Sequence, residues 1–148
     1  MQSSISPPRR MASDRHPCGI IDTSVVIELE RIEPDALPAE VAISAVTLAE
    51  LTAGPHAATD PAERARRQDR LQRTEATFEP LPIDGAVARA YGRLYAAAVV
   101  AGGRKARGRR ALDLLVAATA LAADLPVYTR NPDDFGGLED LLEVVSVD

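Results

Sequence analysis

Short apolar runs alternate along this chain with longer segments whose apolar residues recur at helical spacing. The runs at 19–21 and 41–43 each lead directly into a helical segment. Two later runs, 126–130 and 143–147, have the length and composition of strands, and 79–83 is a further candidate. Short strands that alternate with helices predict an α/β fold with a mostly parallel sheet.

The predicted helices differ in how much of their surface is apolar. Thr23 or Ser24 is placed to cap a short helix after the first strand, and Gly54 is expected to end the second helix. The helix over 62–76 is polar on nearly every face, which predicts a peripheral position. The helix over 111–125 is apolar almost all round and is expected at the centre of the molecule.

The ends of the chain and its composition indicate one soluble domain. Residues 1–17 are polar and Pro-rich and lack the apolar segment of a secretory signal, so we predict a disordered tail followed by a single domain over 18–148. Met11 is an alternative to Met1 as the residue at which translation starts. The apolar stretch 111–125 is shorter than the roughly 20 residues of a membrane span. The single cysteine, Cys18, fits a reducing compartment, and a cytoplasmic location is expected.

The charge of the chain is acidic overall but locally basic. The formal net charge of -5 argues against a protein that coats nucleic acid nonspecifically. Aromatic residues make up 3% of the chain, which leaves few platforms for stacking bases. Five basic residues nevertheless lie within a few positions of one another: Arg104, Lys105, Arg107, Arg109 and Arg110.

Acidic side chains follow the predicted strand ends. Asp22 comes directly after the first strand, the polar cluster 131–134 follows a later strand, and Asp113 is expected to open the central helix. Glu50, inside the second helix, can point toward the same end of the sheet. Converging carboxylates without a Lys partner repel one another, and a hard divalent cation, Mg²⁺ or Mn²⁺, relieves the repulsion. Such a cation activates water and orients a phosphodiester, so hydrolysis of a phosphate ester is predicted.

Four stretches carry a resemblance to a known family: "IDTSVVIEL", "ISAVTLAELTAG", "ALDLLVAATAL" and "VYTRNPDDF". They resemble the motif regions of a PIN domain, specifically the VapC toxins of bacterial toxin–antitoxin pairs, over about Gly19 to Val147. The resemblance implies a PIN-like three-layer sandwich, with a short, mostly parallel central sheet flanked by helices. It also implies a metal-dependent, growth-inhibitory endoribonuclease that a cognate VapB-type antitoxin neutralises, often as a homodimer or a toxin–antitoxin hetero-oligomer.

The resemblance assigns residues to the site. Asp22, Glu50 and Asp113 match the family's first three acidic positions and are expected to bind Mg²⁺ or Mn²⁺, directly or through water. At the fourth position, many members have Asp where this chain has Asn131, and Asp134 follows three residues later. Either residue is expected to fill that position. The expected supports of the carboxylates or of metal-bound water are Thr23, Ser24 and Thr129.

The resemblance also gives the basic residues at 104–110 an expected role. They precede Asp113 by a few positions, and they are expected to contact the RNA backbone. The helix over 62–76 carries further arginines, which are expected to contact phosphates or to form part of an antitoxin surface.

Other functions remain to be weighed. A catalytically decayed PIN fold that only binds RNA or protein stays open, because Asn131 stands at an acidic position. A phosphatase of the acid-pocket type wants a second Asp where Ser24 stands, and a receiver module wants a Lys where Thr129 and Arg130 stand. No GK[ST] phosphate loop is present. The class of RNA cannot be chosen, because selectivity resides in surface shape and loops.

Overall fold

Four parallel strands form the sheet in the computed structural model, which describes residues 16–102 and 108–148. The strand order is β2-β1-β3-β4, and every adjacent pair is parallel. This arrangement confirms the predicted α/β fold with a parallel sheet. The strands are β1 (Cys18–Ile21), β2 (Glu40–Ala42), β3 (Val127–Thr129) and β4 (Val144–Ser146).

Helices connect the strands of the sheet. Short 3-10 helices cover Leu29–Arg31, Pro34–Ala36 and Pro132–Phe135. The α-helices in the described residues are α1 (Thr23–Ile27), α2 (Ala45–Ala57), α3 (Pro61–Thr77), α4 (Gly85–Gly102) and α5 (Arg109–Ala122).

Side chains of β1 alternate between two hydrophobic clusters on opposite faces of the sheet. Ile20 packs into a cluster that contains Leu94 of α4 and Leu114 of α5. Ile21, the next residue, packs into a cluster with side chains of α1, α2 and α3. This period of two is what a strand covered on both faces requires. Helices therefore cover both faces of the sheet, as the predicted three-layer sandwich requires.

The expected end of the second helix at Gly54 and Pro55 is wrong. Helix α2 continues to Ala57 and contains both residues. Proline removes one hydrogen bond inside a helix, but α3 satisfies carbonyl groups at this end of α2. Arg67 Nη1 donates to the carbonyl of Gly54 over 2.9 Å, and Arg64 Nε donates to the carbonyl of Pro55 over 3.3 Å.

The candidate strand at 79–83 is reduced to one bridge. Leu81 pairs with Ser44 in a single parallel bridge, and the backbone N–H of Leu81 donates to the carbonyl of Ile43. Pro80 and Pro82 flank Leu81 and have no N–H group to donate. A longer ladder therefore cannot form.

Two helix starts also differ from the prediction. The N-cap of α1 is Asp22, whose carboxylate accepts from the backbone N–H of Val25, whereas Thr23 or Ser24 had been expected. Helix α5 begins at Arg109, so Asp113 lies in its second turn and does not open it. Stabilisation by the helix N-terminus therefore reaches Asp113 less than expected.

The beginning of the described chain is already paired with the sheet region. The carbonyl groups of His16 and Pro17 accept from the N–H groups of Ala39 and Glu40. The rest of the predicted tail lies outside the described residues and stays a prediction, as do the expected RNA contacts of Arg104, Lys105 and Arg107. In the parts of the chain that are described, no helix is long and apolar enough to cross a membrane.

The contact of Gly19 with Tyr128 gives a stability prediction. A Cβ at Gly19 would lie 2.7 Å from Cε1 of Tyr128, a side chain that is 1% exposed. We expect Gly19→Ala to lower the free energy of unfolding by about 1–3 kcal/mol, because the ring has no space into which to move. Urea unfolding measures this difference.

The matched control for this prediction is Gly92→Ala. Gly92 is exposed in the interior of α4, and a Cβ placed there would have no atom within 4 Å apart from its chain neighbours and the backbone of its own helix. Alanine has the higher helix propensity, so this variant should gain about 0.5–1 kcal/mol. Equal effects of the two substitutions would contradict the steric explanation.

Candidate active site

Asp22 occupies the carboxyl end of β1 and is 7% exposed. Its Oδ1 accepts from the Ser24 hydroxyl over 2.6 Å and from the backbone N–H of Val25 over 3.2 Å. The Ser24 hydroxyl in turn accepts from the backbone N–H of Arg130, just after β3. Ser24 therefore joins the ends of β1 and β3 and fixes the orientation of the Asp22 carboxylate.

Glu50 reaches the same edge of the sheet from α2. Its Oε1 accepts from the Thr23 hydroxyl over 3.0 Å, and Thr23 Oγ1 lies 3.2 Å from Thr47 Oγ1. A threonine has one hydroxyl proton, so Thr23 donates to the carboxylate and accepts from Thr47. The sequence-based prediction missed Thr47. The sequence signal that could have identified Thr47 is its position three residues before Glu50, which places both side chains on the same face of α2.

Arg109 lies between two of the predicted metal ligands. Its Nη1 is 3.0 Å from Oε2 of Glu50, and its Nε is 3.8 Å from Oδ1 of Asp113. The sequence-based expectation was a cluster of acids without a Lys partner, with Arg109 directed to RNA. The structure instead pairs Arg109 with the acids, across 59 residues of sequence in the case of Glu50.

Asp113 has the most perturbed carboxyl group of the site. Burial and, to a smaller extent, the nearby carboxylate of Asp134 raise the pKa of Asp113 to about 6, against the opposing effect of Arg109. Smaller contributions that raise this pKa come from Asp22 and Glu50. The carboxyl group of Asp113 therefore lies in a partly dehydrated region, with other acids of the site nearby.

The loop after β3 brings Asp134 toward this region. Asp134 is half-buried and close enough to repel Asp113, whereas Asn131 is exposed. The backbone of Asn131 has a structural role. Its N–H donates to the Thr129 hydroxyl over 3.0 Å, and its carbonyl accepts from the N–H of Asp134.

Arg110 anchors this loop from the start of α5. Its guanidinium donates to the carbonyl groups of Asp134 and, over 3.0 Å, of Gly136. The predicted RNA contact of Arg110 thus competes with two bonds inside the protein. The two neighbouring arginines therefore have different partners. Arg109 pairs with carboxylates, whereas Arg110 binds the backbone of the loop that carries Asp134.

The donor set suits a hard divalent cation in chemical type. Carboxylate oxygens are preferred by Mg²⁺ and Mn²⁺, and the mutual repulsion seen at Asp113 is what such a cation relieves. The acidic side chains of the site do not converge on one point in this structure. Over residues 16–102 and 108–148, no three Asp, Glu, His or Cys side chains stand close enough together to hold a metal ion.

Comparison with known proteins agrees with this architecture. The sequence model of the PIN domain matches residues 20–139. The chain belongs to the PIN-domain family. Ribonuclease VapC5 of Mycobacterium tuberculosis (strain ATCC 25618 / H37Rv) is 38% identical over 129 residues, which cover 85% of this chain and 91% of that protein. Ribonuclease VapC4 of the same strain is 36% identical over 132 residues, with 86% and 95% covered.

A solved structure extends the likeness to three dimensions. The crystal structure of VapBC-5 from Mycobacterium tuberculosis, a member of the VapBC family of toxin–antitoxin systems, matches with a TM-score of 0.76 and 37% identity. The match covers 88% of this chain and 99% of that chain. The expected resemblance to PIN domains of the VapC type is therefore confirmed. The matched span of this PIN domain includes Asp22, Glu50, Asp113 and the loop that carries Asp134.

The pKa of Asp113 predicts how stability depends on pH. Because the folded-state pKa is raised, the folded protein binds this proton more tightly than the unfolded chain does. Deprotonation therefore costs stability as pH rises through the interval from about 4 to about 6. Without divalent cations near neutral pH, the free energy of unfolding of Asp113→Asn should therefore be about 1–3 kcal/mol higher than that of the wild type.

Urea unfolding at several pH values in EDTA measures this difference. The gap between the Asp113→Asn variant and the wild type should close near pH 4, where the wild-type carboxyl group is protonated in the folded state. Asp140→Asn, at an exposed acid outside the site, is the control and should show no such gap. A gap that does not change with pH would contradict the assigned cause.

Proposed function

We propose that this chain is a metal-dependent endoribonuclease toxin that hydrolyses RNA phosphodiester bonds and is neutralised by a VapB-type antitoxin. The observation that carries the proposal is the linkage of acids near the carboxyl end of β1 in a PIN domain. Thr23, next to Asp22, donates to Glu50, and Arg109 pairs with both Glu50 and Asp113. The relatives named as ribonucleases and the VapBC-5 toxin–antitoxin structure support the activity and the partner.

The acids have distinct roles in this proposal. Asp22, Glu50 and Asp113 hold Mg²⁺ or Mn²⁺, directly or through water. Asp134 takes the fourth position, because it is close enough to repel Asp113, while Asn131 is exposed. When bound, the cation supplies Lewis acidity toward the phosphate and lowers the pKa of a water.

Neighbouring polar groups keep the acids in place. Ser24 holds the Asp22 carboxylate, and Thr23 holds that of Glu50. Thr129 accepts from the backbone at the start of the loop that carries Asp134, and Arg110 fixes the far side of that loop. These contacts hold Asp22, Glu50 and the loop that carries Asp134 in place before RNA arrives.

RNA contacts are assigned mainly to the basic segment before α5. Arg104, Lys105 and Arg107 are the proposed phosphate contacts, since Arg109 and Arg110 have partners inside the protein. The residues of 18–148 act as one nuclease domain in the cytoplasm, where RNA and antitoxin are both present. A homodimer and a toxin–antitoxin hetero-oligomer are the proposed assemblies.

Cleavage of total bacterial RNA by the purified full chain tests the activity. We expect discrete fragments with Mn²⁺ or Mg²⁺ and none with EDTA. Asp22→Asn and Asp113→Asn should each reduce the rate by about a hundredfold or more, since even groups that only support metal ligands contribute about 10- to 100-fold. Asp140→Asn, which removes an exposed carboxylate outside the site, should cleave like the wild type.

The outcome also separates the proposal from its alternative. Metal-independent cleavage, or full activity of Asp22→Asn, would contradict the assigned site. RNA binding without cleavage under every condition would instead support a decayed PIN fold that acts as a binding module. Neutralisation is tested by adding the cognate VapB-type antitoxin, which should suppress cleavage and restore growth of expressing cells.

Two further variants distinguish the residues of the loop after β3. Asp134→Asn should lower the rate of RNA cleavage by about 10-fold or more, because it removes a carboxylate close to Asp113. Asn131→Ala should change the rate little, because the visible contacts of Asn131 are those of its backbone. The reverse order of effects would assign the fourth position to the Asn131 amide.

A further inference from the structure

Arg109 places its positive charge between two of the site's acidic side chains. Its guanidinium spans from Glu50 to Asp113, with Nη1 3.0 Å from Oε2 of Glu50 and Nε 3.8 Å from Oδ1 of Asp113. Among the described residues, no other basic side chain forms an ion pair with the carboxylates of Asp22, Glu50, Asp113 or Asp134. The site is therefore partly neutralised by its own chain.

We propose that Arg109 is an internal counterion that competes with the divalent cation for Glu50 and Asp113. This inference rests on the cation site of the proposed function. In the observed arrangement, the described acids do not converge on one point, and the guanidinium lies between two of them. Cation binding then requires the guanidinium to leave, and the protein alternates between a self-neutralised state and a cation-loaded state.

The competition follows from the chemistry of the groups. A guanidinium stays protonated at every pH at which this protein would be studied, because its pKa is about 12 or higher. It therefore cannot stop competing by losing its charge, and it has to move away. A guanidinium and a divalent cation satisfy the same carboxylate lone pairs, and both positive charges in the same small space would repel each other. Binding of one therefore weakens binding of the other.

The exposure of the three side chains shows which of them moves. The side chain of Arg109 is 62% exposed, whereas those of Glu50 and Asp113 are 17% and 12% exposed. Movement of Arg109 therefore costs little packing, and its departure frees the Glu50 and Asp113 carboxylates to turn toward a shared cation. The space is available, because Arg109 borders an open groove of about 440 Å³ that is also lined by Thr23, Ser24, Glu50, Arg67 and Arg70.

The test measures Mn²⁺ affinity of the full chain by calorimetry, which does not depend on catalytic activity. We expect Arg109→Gln to bind Mn²⁺ about tenfold more tightly than the wild type, since an opposite charge at this range changes a carboxylate's proton affinity by about tenfold or more. Arg109→Lys should show a smaller gain, because an ammonium cannot span both acids. Arg93→Gln removes an exposed charge on α4 and should match the wild type.

A second measurement separates the counterion role from a general loss of charge. Without divalent cations near neutral pH, Arg109→Gln should unfold at a lower temperature than Arg93→Gln, because Glu50 and Asp113 lose their partner. Saturating Mn²⁺ should remove that difference. Arg109→Lys provides the affinity comparison if Arg109→Gln does not fold.

The outcomes distinguish this inference from the proposed function. Equal or weaker Mn²⁺ binding by Arg109→Gln, with wild-type binding abolished in Asp113→Asn, overturns the counterion role and leaves the cation site intact. Binding that persists unchanged in Asp113→Asn, or no Mn²⁺ binding by the wild type and by Arg109→Gln, overturns both. Tighter binding by Arg109→Gln alone supports the competition.

Discussion

Repulsion among carboxylates at the end of a buried sheet is the constraint on which this site depends. Asp22 follows a strand covered on both faces, and Asp113 lies on a helix whose neighbouring side chains are almost all buried. A carboxylate in such surroundings needs a compensating partner. The partners differ among the acids. Asp22 accepts from a helix N-terminus and a hydroxyl, and Glu50 accepts from Thr23 and pairs with Arg109. Asp113 pairs with Arg109 over a longer distance and still keeps a raised pKa.

The topology of the sheet explains why the acids meet. Strands β1 and β3 are adjacent and parallel, so their carboxyl ends lie at the same edge. The chain between them forms the helices that cover the two faces, and α2 and α5 return to this edge with Glu50 and Asp113. Functional groups collect at such an edge in open parallel sheets generally. The fold thus concentrates charge where the sheet leaves an open end.

The sequence was sufficient for the elements whose cause is local. The apolar run before Asp22, the polar face of α3 and the apolar α5 each follow from residues that are near one another in the chain. Contacts between distant residues were not predictable in this way. Arg67 satisfies the end of α2 from α3, so the Gly-Pro pair does not stop the helix. The position of Thr47 three residues before Glu50 was a local signal, but its hydrogen bond with Thr23 depends on the tertiary fold.

The two arginines at the start of α5 show most clearly where local reasoning ends. A run of basic residues near an acidic cleft predicts contact with a polyanion, and that inference treats its members as equivalent. Consecutive residues of a helix, however, are rotated by about 100° from each other. Arg109 therefore faces Glu50 and Asp113, while Arg110 faces the carbonyl groups of the loop that carries Asp134. One helix start thus serves the site in two ways: Arg109 neutralises two of its acids, and Arg110 holds the backbone of the loop that carries a third.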